Sequence, residues 1–386
     1  MLKCASVYTF ELDDHDLALN EIKEQLDKKI TLLDNTVGVV MCHPEFIVTG
    51  AVKSICEGLP FDIAGVTTSS QAVNDAVGEL MLTIFVMTAD DVQFRTGVTD
   101  DLTEGLEGPV KAAYEKAAAG TSGSPKLALV FPPFGGMHAG DAYVRSWEKL
   151  VPNTPVFGLY AIDDTATFSE SQTLYNGVDY EVAMPFVLCY GNIEPRFIIA
   201  TFTEENAVSS KAEVTKADGN CVYEINHDTA IRYFEDKGLA ENFTFTPFMI
   251  DFLGREDYDG VPVVRAFAMF TGEGAAVFYG NIDEGSTITL LKYDTDGILS
   301  ATRQKVAEVN EMQDINGAFL CSCVARRAAL IGANKPLLEL QSAKDTIDAD
   351  IPFMMGYAGG EICPTSVRNG VPTNRFHNYS LVILVV

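Results

Sequence analysis

The chain has few of the features that mark secreted, membrane-spanning or metal-binding proteins. Residues 1–16 hold one lysine and no sustained apolar core, so they do not resemble a signal peptide. No apolar run reaches the roughly 18–20 residues that cross a bilayer. The eight cysteines form no Cys-x-x-Cys pair, and the one close pair, Cys321 and Cys323, lacks the spacing of a zinc site. We therefore expect a cytoplasmic protein with reduced thiols, without membrane insertion, bound metal or cofactor.

Basic residues are also scarce, with 27 Lys and Arg against 54 Asp and Glu and a formal net charge of -27. A field of that sign repels nucleic acids and anionic lipid surfaces, so neither is expected as a partner. The 47% of hydrophobic residues is typical of a folded chain, and 386 residues are too many for one ordinary core. We expect two domains, residues 1–210 and 211–386.

Short apolar segments alternate with helix-like segments along most of the chain. Residues 37–42 are typical of a buried strand, and residues 51–59 of a short helix. Residues 79–87 and 92–98 are predicted to form an antiparallel pair across the short connection between them. The fold class expected from this alternation is α/β to α+β, with two domains of mixed β-sheets flanked by helices.

One local pattern occurs three times. A proline and an apolar stretch lead to a glycine and then to polar residues: Pro60 to Gly65 and Thr67-Thr68, Pro155 to Gly158 and Asp163-Asp164, and Pro352 to Gly356 and Glu361. One interpretation is a buried strand whose carboxyl end carries a polar loop, where ligands commonly bind. The other is ordinary punctuation between a helix and a strand.

The segment 351–378 carries the densest set of candidate binding groups. Its clustered glycines allow close approach of a backbone or a ligand, because glycine has no Cβ. Glu361, His377 and Asn378 surround this gap and suggest a pocket for a small polar molecule. Glu361 and His377 would act as an acid and base pair, or would only hold loops together.

Other motifs fit catalysis less well. The glycine-rich residues 135–140 precede a helix and suggest an anion site, but they match neither G-x-G-x-x-G nor a P-loop. Cys323 lies close to Arg326, and a nearby cation would favour a nucleophilic thiolate. Its apolar surroundings favour a packed thiol instead.

Several of these residues resemble motifs of the FIST family of sensory domains. Cys323-Val-Ala-Arg326 resembles that family's Cys-x-x-Arg strand exit. Gly356-Tyr-Ala-Gly-Gly360-Glu361-Ile-Cys-Pro364 resembles its Gly-aromatic-x-x-Gly-Glu-x-x-Pro segment. His377-Asn378-Tyr-Ser380 resembles its closing His-Asn-x-Thr, with serine in place of threonine. Gly65-Val-Thr67-Thr68 resembles a Gly-x-Ser/Thr-Thr turn, although Ser69-Ser70 stand where Gly-Glu is more usual.

The resemblance implies a FIST N-like domain over residues 1–210 and a FIST C-like domain over residues 211–386. It also implies that a small ligand is bound, an amino acid or a related metabolite. No kinase, methyl-accepting or cyclase module follows in this sequence, so we expect signalling through a separate partner protein.

The predicted ligand contacts come from both halves of the chain: Arg326, Tyr357, Gly360, Glu361, His377 and Asn378 from the second, and Thr67, Thr68 and Asp164 from the first. Arg326 would hold a ligand carboxylate, and Glu361 a ligand ammonium. Two other function classes stay open here. One is a small-molecule hydrolase or lyase that uses Glu361 and His377 or Cys323, and the other is a purely structural partner module.

Overall fold

A computed structural model describes residues 1–134, 138–165, 167–239, 245–292 and 295–386. Residues 135–137 of the predicted anion loop at residues 135–140 lie outside the described residues, and Gly140 begins a helix. The strands of the first half are β1 (Lys3–Thr9), β2 (Thr36–Cys42), β3 (Asp62–Thr67), β4 (Gln71–Val73), β5 (Ala76–Gly78), β6 (Leu82–Thr88), β7 (Val92–Val98), β8 (Leu127–Val130), β9 (Val156–Leu159), β10 (Thr173–Tyr175), β11 (Val178–Tyr180), β12 (Pro185–Gly191) and β13 (Arg196–Ala200).

The strands of the second half are β14 (Ala212–Asp218), β15 (Cys221–Ile225), β16 (Asp228–Thr229), β17 (Pro247–Asp251), β18 (Val263–Phe270), β19 (Ala276–Phe278), β20 (Thr287–Leu290), β21 (Ala318–Cys323), β22 (Phe353–Ala358), β23 (Glu361–Arg368), β24 (Val371–His377) and β25 (Leu381–Val385). The helices are α1 (His15–Lys29), α2 (Glu45–Val48), α3 (Ala51–Gly58), α4 (Glu107–Ala117), α5 (Gly140–Leu150), α6 (Ala230–Asp236), α7 (Thr295–Asn310), α8 (Val324–Gly332) and α9 (Leu338–Thr346).

The chain builds the same supersecondary unit three times. In each unit the second and third strands are parallel neighbours, and the last strand lies antiparallel between the first and the second. The resulting strand orders are β1-β6-β2-β3, β7-β12-β8-β9 and β13-β25-β21-β22. Helices connect the parallel strands, as crossover connections require.

Each unit passes its hairpin to a neighbouring sheet. The hairpin β4–β5 pairs with β22, β10–β11 pairs with β3, and β23–β24 pairs with β9. This cyclic exchange completes three six-stranded sheets and interlocks the two halves of the chain. The expected mixed α/β class with helix-flanked mixed sheets is therefore confirmed.

A closed barrel is inserted in the third unit between β13 and β21. Its strands follow the order β14-β20-β17-β18-β19-β15, and the pairing of β14 with β15 closes the ring. The two-residue strand β16 also pairs with β15. The interior is aromatic and is centred on Phe234, Phe248, Phe267 and Phe278. The barrel begins close to the predicted boundary at residue 210, and the chain after it returns to the three sheets. That boundary stays a sequence-based prediction.

The three sheets share one central core. Their inner faces meet through buried residues from all three units, including Met41, Phe131, Phe157, Phe319 and Met354. Helices cover the outer faces, so the parallel strands are buried on both sides. This explains why those strands are continuous apolar runs rather than alternating ones.

The repeated sequence pattern marks the equivalent third strands β3, β9 and β22. At Gly65 an added Cβ would lie 1.8 Å from the Val40 carbonyl oxygen, and at Gly158 it would lie 2.2 Å from that of Val130. Glycine is needed in both strands because the parallel neighbour lies too close for a side chain. The glycines of the pattern therefore lie inside strands, at close contacts with the neighbouring strand, rather than at a break between a helix and a strand.

One predicted pairing is wrong. Residues 79–87 and 92–98 do not pair with each other, because β6 lies between β1 and β2 whereas β7 pairs with β12 in another sheet. No helix within the described residues is both long and apolar enough to span a membrane.

Candidate functional site

The carboxyl ends of β3, β9 and β22 meet at one end of the central core. Hydrogen bonds join these ends: the Ile162 amide donates to the Thr67 carbonyl (3.1 Å), the Tyr160 amide to that of Gly360 (3.1 Å), and the Thr68 hydroxyl to that of Tyr357 (2.8 Å). The fold thus brings together predicted site residues from both halves of the chain. The polar loops that follow these strands therefore meet at one end of the core, although the three strands belong to three different sheets.

Glu361 is a buried acidic residue at this end of the core. It begins β23, pairs with Leu159 of β9, and is fully buried. Neither carboxyl oxygen has a hydrogen-bond partner among the described residues. The Cys323 thiol and the Ser380 amide lie near it, but outside good hydrogen-bond geometry. Burial raises the pKa of this carboxyl well above its usual value, and nearby Arg326 opposes that rise only in part.

Three buried thiols, of Cys321, Cys323 and Cys363, lie near enough to the carboxyl for its charge to act on them. Burial raises the pKa of each thiol well above its usual value, and the neighbouring Glu361 raises it further. A thiolate is therefore disfavoured at Cys323, and the structure supports the packed-thiol interpretation rather than a nucleophile.

His377 lies directly opposite Glu361 in the β23–β24 pairing. Its Nε2 makes a 3.0 Å hydrogen bond with the Cys363 carbonyl, and no hydrogen bond joins it to the carboxyl of Glu361. Burial lowers the pKa of the imidazole to about 4, so the ring is neutral near pH 7. The predicted acid and base are brought near each other, but they are not coupled.

Arg326 is bound by a carboxylate of the protein itself. Its Nε and Nη2 donate to Glu339 Oε1 at 3.0 and 2.7 Å, and Nη2 also donates to the Thr302 hydroxyl at 2.9 Å. The Ser322 hydroxyl donates to the other carboxyl oxygen of Glu339 at 3.0 Å. Sequence reasoning missed Glu339. The available signal was an acid on the face of α9 that also carries Leu340 and Ala343.

The Tyr357 hydroxyl belongs to the same side of its sheet as this ion pair. Burial is the main cause of the raised pKa of the Tyr357 hydroxyl, and the nearby Glu339 carboxylate raises this pKa further. The hydroxyl lies near the Glu339 carboxylate, but outside good hydrogen-bond geometry. Tyr357 therefore contributes its backbone to the strand ends, while its ring points toward Glu339.

The other predicted contacts have protein partners. The Thr67 hydroxyl donates to the Gln172 carbonyl and accepts from its amide, at 3.1 and 2.8 Å. Asp164 is half exposed and lies 3.4 Å from His43 Nε2. Asn378 accepts from the Ala266 amide at 3.3 Å and thereby contacts the barrel. These residues border the strand ends, but their polar groups are already occupied.

A small cavity lies between the three-sheet core and the barrel. Its lining residues are Phe134, Phe168 and Gly359 from the core, Cys323, Val324 and Ala325 at the start of α8, Asn378, and Phe245, Ala266 and Tyr279 from the barrel segment. Its volume is about 10 Å³, the space of about one water molecule. Two ring pairs form its walls, Phe134 with Phe168 at 4.9 Å and Phe245 with Tyr279 at 5.6 Å between centroids.

A buried ion pair fixes the barrel on the core beside this cavity. Arg265 of β18 donates to Asp141 of α5 at 2.9 Å, to the Phe376 carbonyl at 2.7 Å and to that of Asn281 at 3.0 Å. Arg265 is fully buried, so this network is a specific docking contact rather than a surface pair. Within the described ranges, no three His, Cys, Asp or Glu side chains are grouped to hold a metal ion.

Two family models match almost the whole chain. The FIST N domain matches residues 36–228, and the FIST C domain matches residues 230–364. No curated protein matches the sequence. Among solved structures, the cyanuric acid hydrolase from A. caulinodans is 11% identical, covering 50% of this chain and 72% of its own, with a TM-score of 0.26. A likeness that weak says nothing about activity.

Proposed function

Because the chain belongs to the FIST family, whose domains serve as sensory domains in signal transduction, we propose that it is a cytoplasmic sensor of a small polar ligand. The ligand is an amino acid or a related metabolite, and it binds where the barrel meets the carboxyl ends of β21 and β22. The observation that carries this proposal is the Glu361 carboxyl, which is buried without a hydrogen-bond partner among the described residues.

An unpaired buried carboxyl is costly unless something satisfies it. A ligand ammonium at Glu361 would supply charge-assisted hydrogen bonds to both oxygens. Burial already raises the pKa of this carboxyl and favours its protonated form. An incoming cation favours the ionised form, so binding releases a proton and tightens as the pH rises.

The size of the cavity links binding to movement of the barrel. A volume of about 10 Å³ cannot hold an amino acid. One ring pair in its wall belongs to the core and the other to the barrel segment, so a ligand enlarges the cavity by separating the two bodies. The displaced barrel then presents a changed surface to a separate signalling protein.

Thermal unfolding against a library of amino acids and small carboxylates tests this proposal. A ligand at 100 times its dissociation constant stabilises the folded state by about 2.7 kcal/mol. Glu361→Gln should abolish the shift, whereas Glu148→Gln should keep it. Glu148 is the matched control, because burial also raises its pKa but it lies on α5. Calorimetry in two buffers of different ionisation enthalpy measures the released proton. Unchanged affinity in Glu361→Gln would show that the ligand does not bind there.

The geometry gives the hydrolase or lyase alternative no comparable support. His377 is bonded to a backbone carbonyl, and the Cys323 thiol resists ionisation. We therefore expect no turnover of any ligand that the library identifies.

A further inference from the structure

A second cavity lies at the amino end of the parallel strand β2, the opposite end of the core from the strand ends described above. The residues before β2, the connection between β6 and β7, and the end of β12 border it. Its volume is about 880 Å³, within the range of small-molecule sites. Most of its lining residues are polar or charged.

Arg95 of β7 lines this cavity without an acidic partner. Within the described residues its guanidinium donates only to the carbonyl of its neighbour Phe94, at 3.4 Å. By contrast, the four buried arginines of that part of the chain all pair with carboxylates. The chain has twice as many acidic as basic residues, so a half-buried arginine that none of its acids neutralises is a candidate for binding an external anion.

The Tyr190 hydroxyl is a second group of this cavity without a partner. Tyr190 is 4% exposed, and its hydroxyl has no hydrogen-bond partner among the described residues. The hydroxyls of Tyr114 and Thr121 lie near it, but outside good hydrogen-bond geometry. Burial raises the pKa of Tyr190 to about 12, and the charge of nearby Arg95 opposes that rise. The hydroxyl therefore keeps its proton near pH 7 and can donate it to a ligand oxygen, which removes the cost of burying it unpaired.

The pairing of β7 with β12 places these groups on one face of the sheet. Gln93 lies directly opposite Tyr190, and Arg95 is two residues further along β7 on the same face. Side chains in such direct and diagonal positions begin about 5 and 7 Å apart. Ser122, in the loop before β8, lines the same cavity. An amide, a guanidinium and two hydroxyls are thus available, and all four donate hydrogen bonds.

This set of donors fits a phosphate better than a carboxylate. A phosphate group offers three strongly accepting oxygens and a carboxylate offers two. The planar fork of an arginine also matches two phosphate oxygens at once.

Three acids on the rim describe the rest of the ligand. Asp34, Asp90 and Asp91 line the cavity, and the Met1 ammonium pairs with Asp90 and Asp91, which neutralises part of their charge. Their carboxylate oxygens accept hydrogen bonds, so they are suited to the hydroxyl groups of a ligand.

We propose that this cavity binds the phosphomonoester of a polyhydroxy compound, a sugar phosphate, with the phosphate at Arg95 and Tyr190 and the hydroxyls at the acidic rim. The site goes beyond the proposed function, because it uses other residues at the other end of the core and a ligand group of the opposite charge.

Calorimetric titration of the full-length protein at constant ionic strength tests the proposal with glucose, glucose 6-phosphate and glucuronate. These probes share a ring and differ at its sixth carbon, which carries a hydroxyl, a phosphate or a carboxylate. Ribose 5-phosphate and glycerol 3-phosphate vary the polyhydroxy part. We expect at least one phosphomonoester to bind about tenfold or more tightly than glucose and glucuronate, because only a phosphate fills all the donors.

Two variants locate the phosphate. Arg95→Gln should weaken phosphomonoester binding about tenfold or more, whereas Arg303→Gln, the same change at an exposed arginine of α7, should not. Tyr190→Phe should weaken binding several-fold and leave the free energy of unfolding unchanged or higher, because the lost hydroxyl has no protein partner. A purely structural hydroxyl would give the reverse pattern, with lower stability and unchanged affinity.

The proposal is overturned if none of the three phosphomonoesters binds more tightly than about 10 mM, or if glucuronate binds as tightly as glucose 6-phosphate. An equal loss of affinity in Arg95→Gln and Arg303→Gln would also overturn it, since the effect would then come from the overall charge. Glu361→Gln should leave phosphomonoester affinity unchanged, so this site and the proposed sensor site succeed or fail separately.

Discussion

Removal of the Glu339 carboxylate tests whether Arg326 is a structural residue. Glu339 accepts four hydrogen bonds, two from Arg326 and one each from Thr302 and Ser322. Both members of the ion pair are buried. In Glu339→Gln the guanidinium loses its counter-charge in a site that water does not reach. Breaking a buried pair from one side costs about 3–5 kcal/mol.

That cost is a large part of the 5–15 kcal/mol by which folded domains are usually stable. The matched control is Glu115→Gln on α4, which removes an exposed pair with Lys111 at 3.8 Å. An exposed pair of this kind contributes at most about 0.5 kcal/mol. The two substitutions make the same chemical change. The difference between their losses in free energy of unfolding therefore measures the effect of burying the ion pair.

A double variant separates the lost charge from the lost packing. Arg326→Met with Glu339→Leu removes both charges and keeps apolar volume. Such replacements are often neutral or stabilising, so we expect the pair of changes to be less destabilising than Glu339→Gln alone. Thr302 keeps a partner in this variant, because its single hydroxyl proton is then donated to the Ile298 carbonyl, 3.0 Å away, instead of to Glu339.

Urea unfolding measures these free energies, with far-UV circular dichroism and the fluorescence of Trp147 as probes. Trp147 is the single tryptophan and is fully buried on α5. Coincident transitions from the two probes would justify a two-state analysis. A loss below about 1 kcal/mol in Glu339→Gln would refute the reasoning. Arg326 would then be available to a ligand carboxylate.

Two further predictions concern the imidazole of the site and the repeated glycines. Burial lowers the pKa of His377 from 6.5 to about 4, so below pH 6.5 only the unfolded chain takes up a proton there. The free energy of unfolding should fall by about 3 kcal/mol as the pH drops from 6.5 to about 4. His377→Gln should remove that fall. Parallel pH profiles of stability for the wild type and the variant would contradict this prediction. Gly65→Ala places a Cβ 1.8 Å from the Val40 carbonyl oxygen and should cost about 3 kcal/mol or more. Gly108→Ala, in open space on α4, should instead stabilise by about 0.5–1 kcal/mol, and equal denaturation midpoints for the two variants would contradict the steric argument.

Several local features followed from the sequence because they depend on neighbouring residues only. The continuous apolar runs identified strands that are buried on both faces, as at residues 37–42. The pattern of proline, apolar residues and glycine marked β3, β9 and β22 before their equivalence was known. Glu361 stood out as the one acid after a glycine cluster, and it is the unpartnered carboxyl at the centre of the proposed site.

The sequence did not show which strands pair with each other. A short polar turn between two strand-like segments predicts a hairpin, yet β6 and β7 belong to different sheets. Backbone hydrogen bonds carry little sequence information, so a strand pattern does not tell which strand lies beside it. The exchange of hairpins among three sheets has the same origin, since β23 meets β9 across about half the chain.

What the sequence by itself determined, therefore, is which residues are buried, where strands and helices form, and which polar groups stand near glycine-lined turns. The tertiary structure alone decided that Arg326 meets Glu339, that His377 meets a carbonyl, and that Glu361 meets no partner among the described residues. The physical reason is the distance along the sequence between the residues that interact. Local patterns set conformation and burial, whereas the neutralisation of a buried charge depends on which distant segment packs against it.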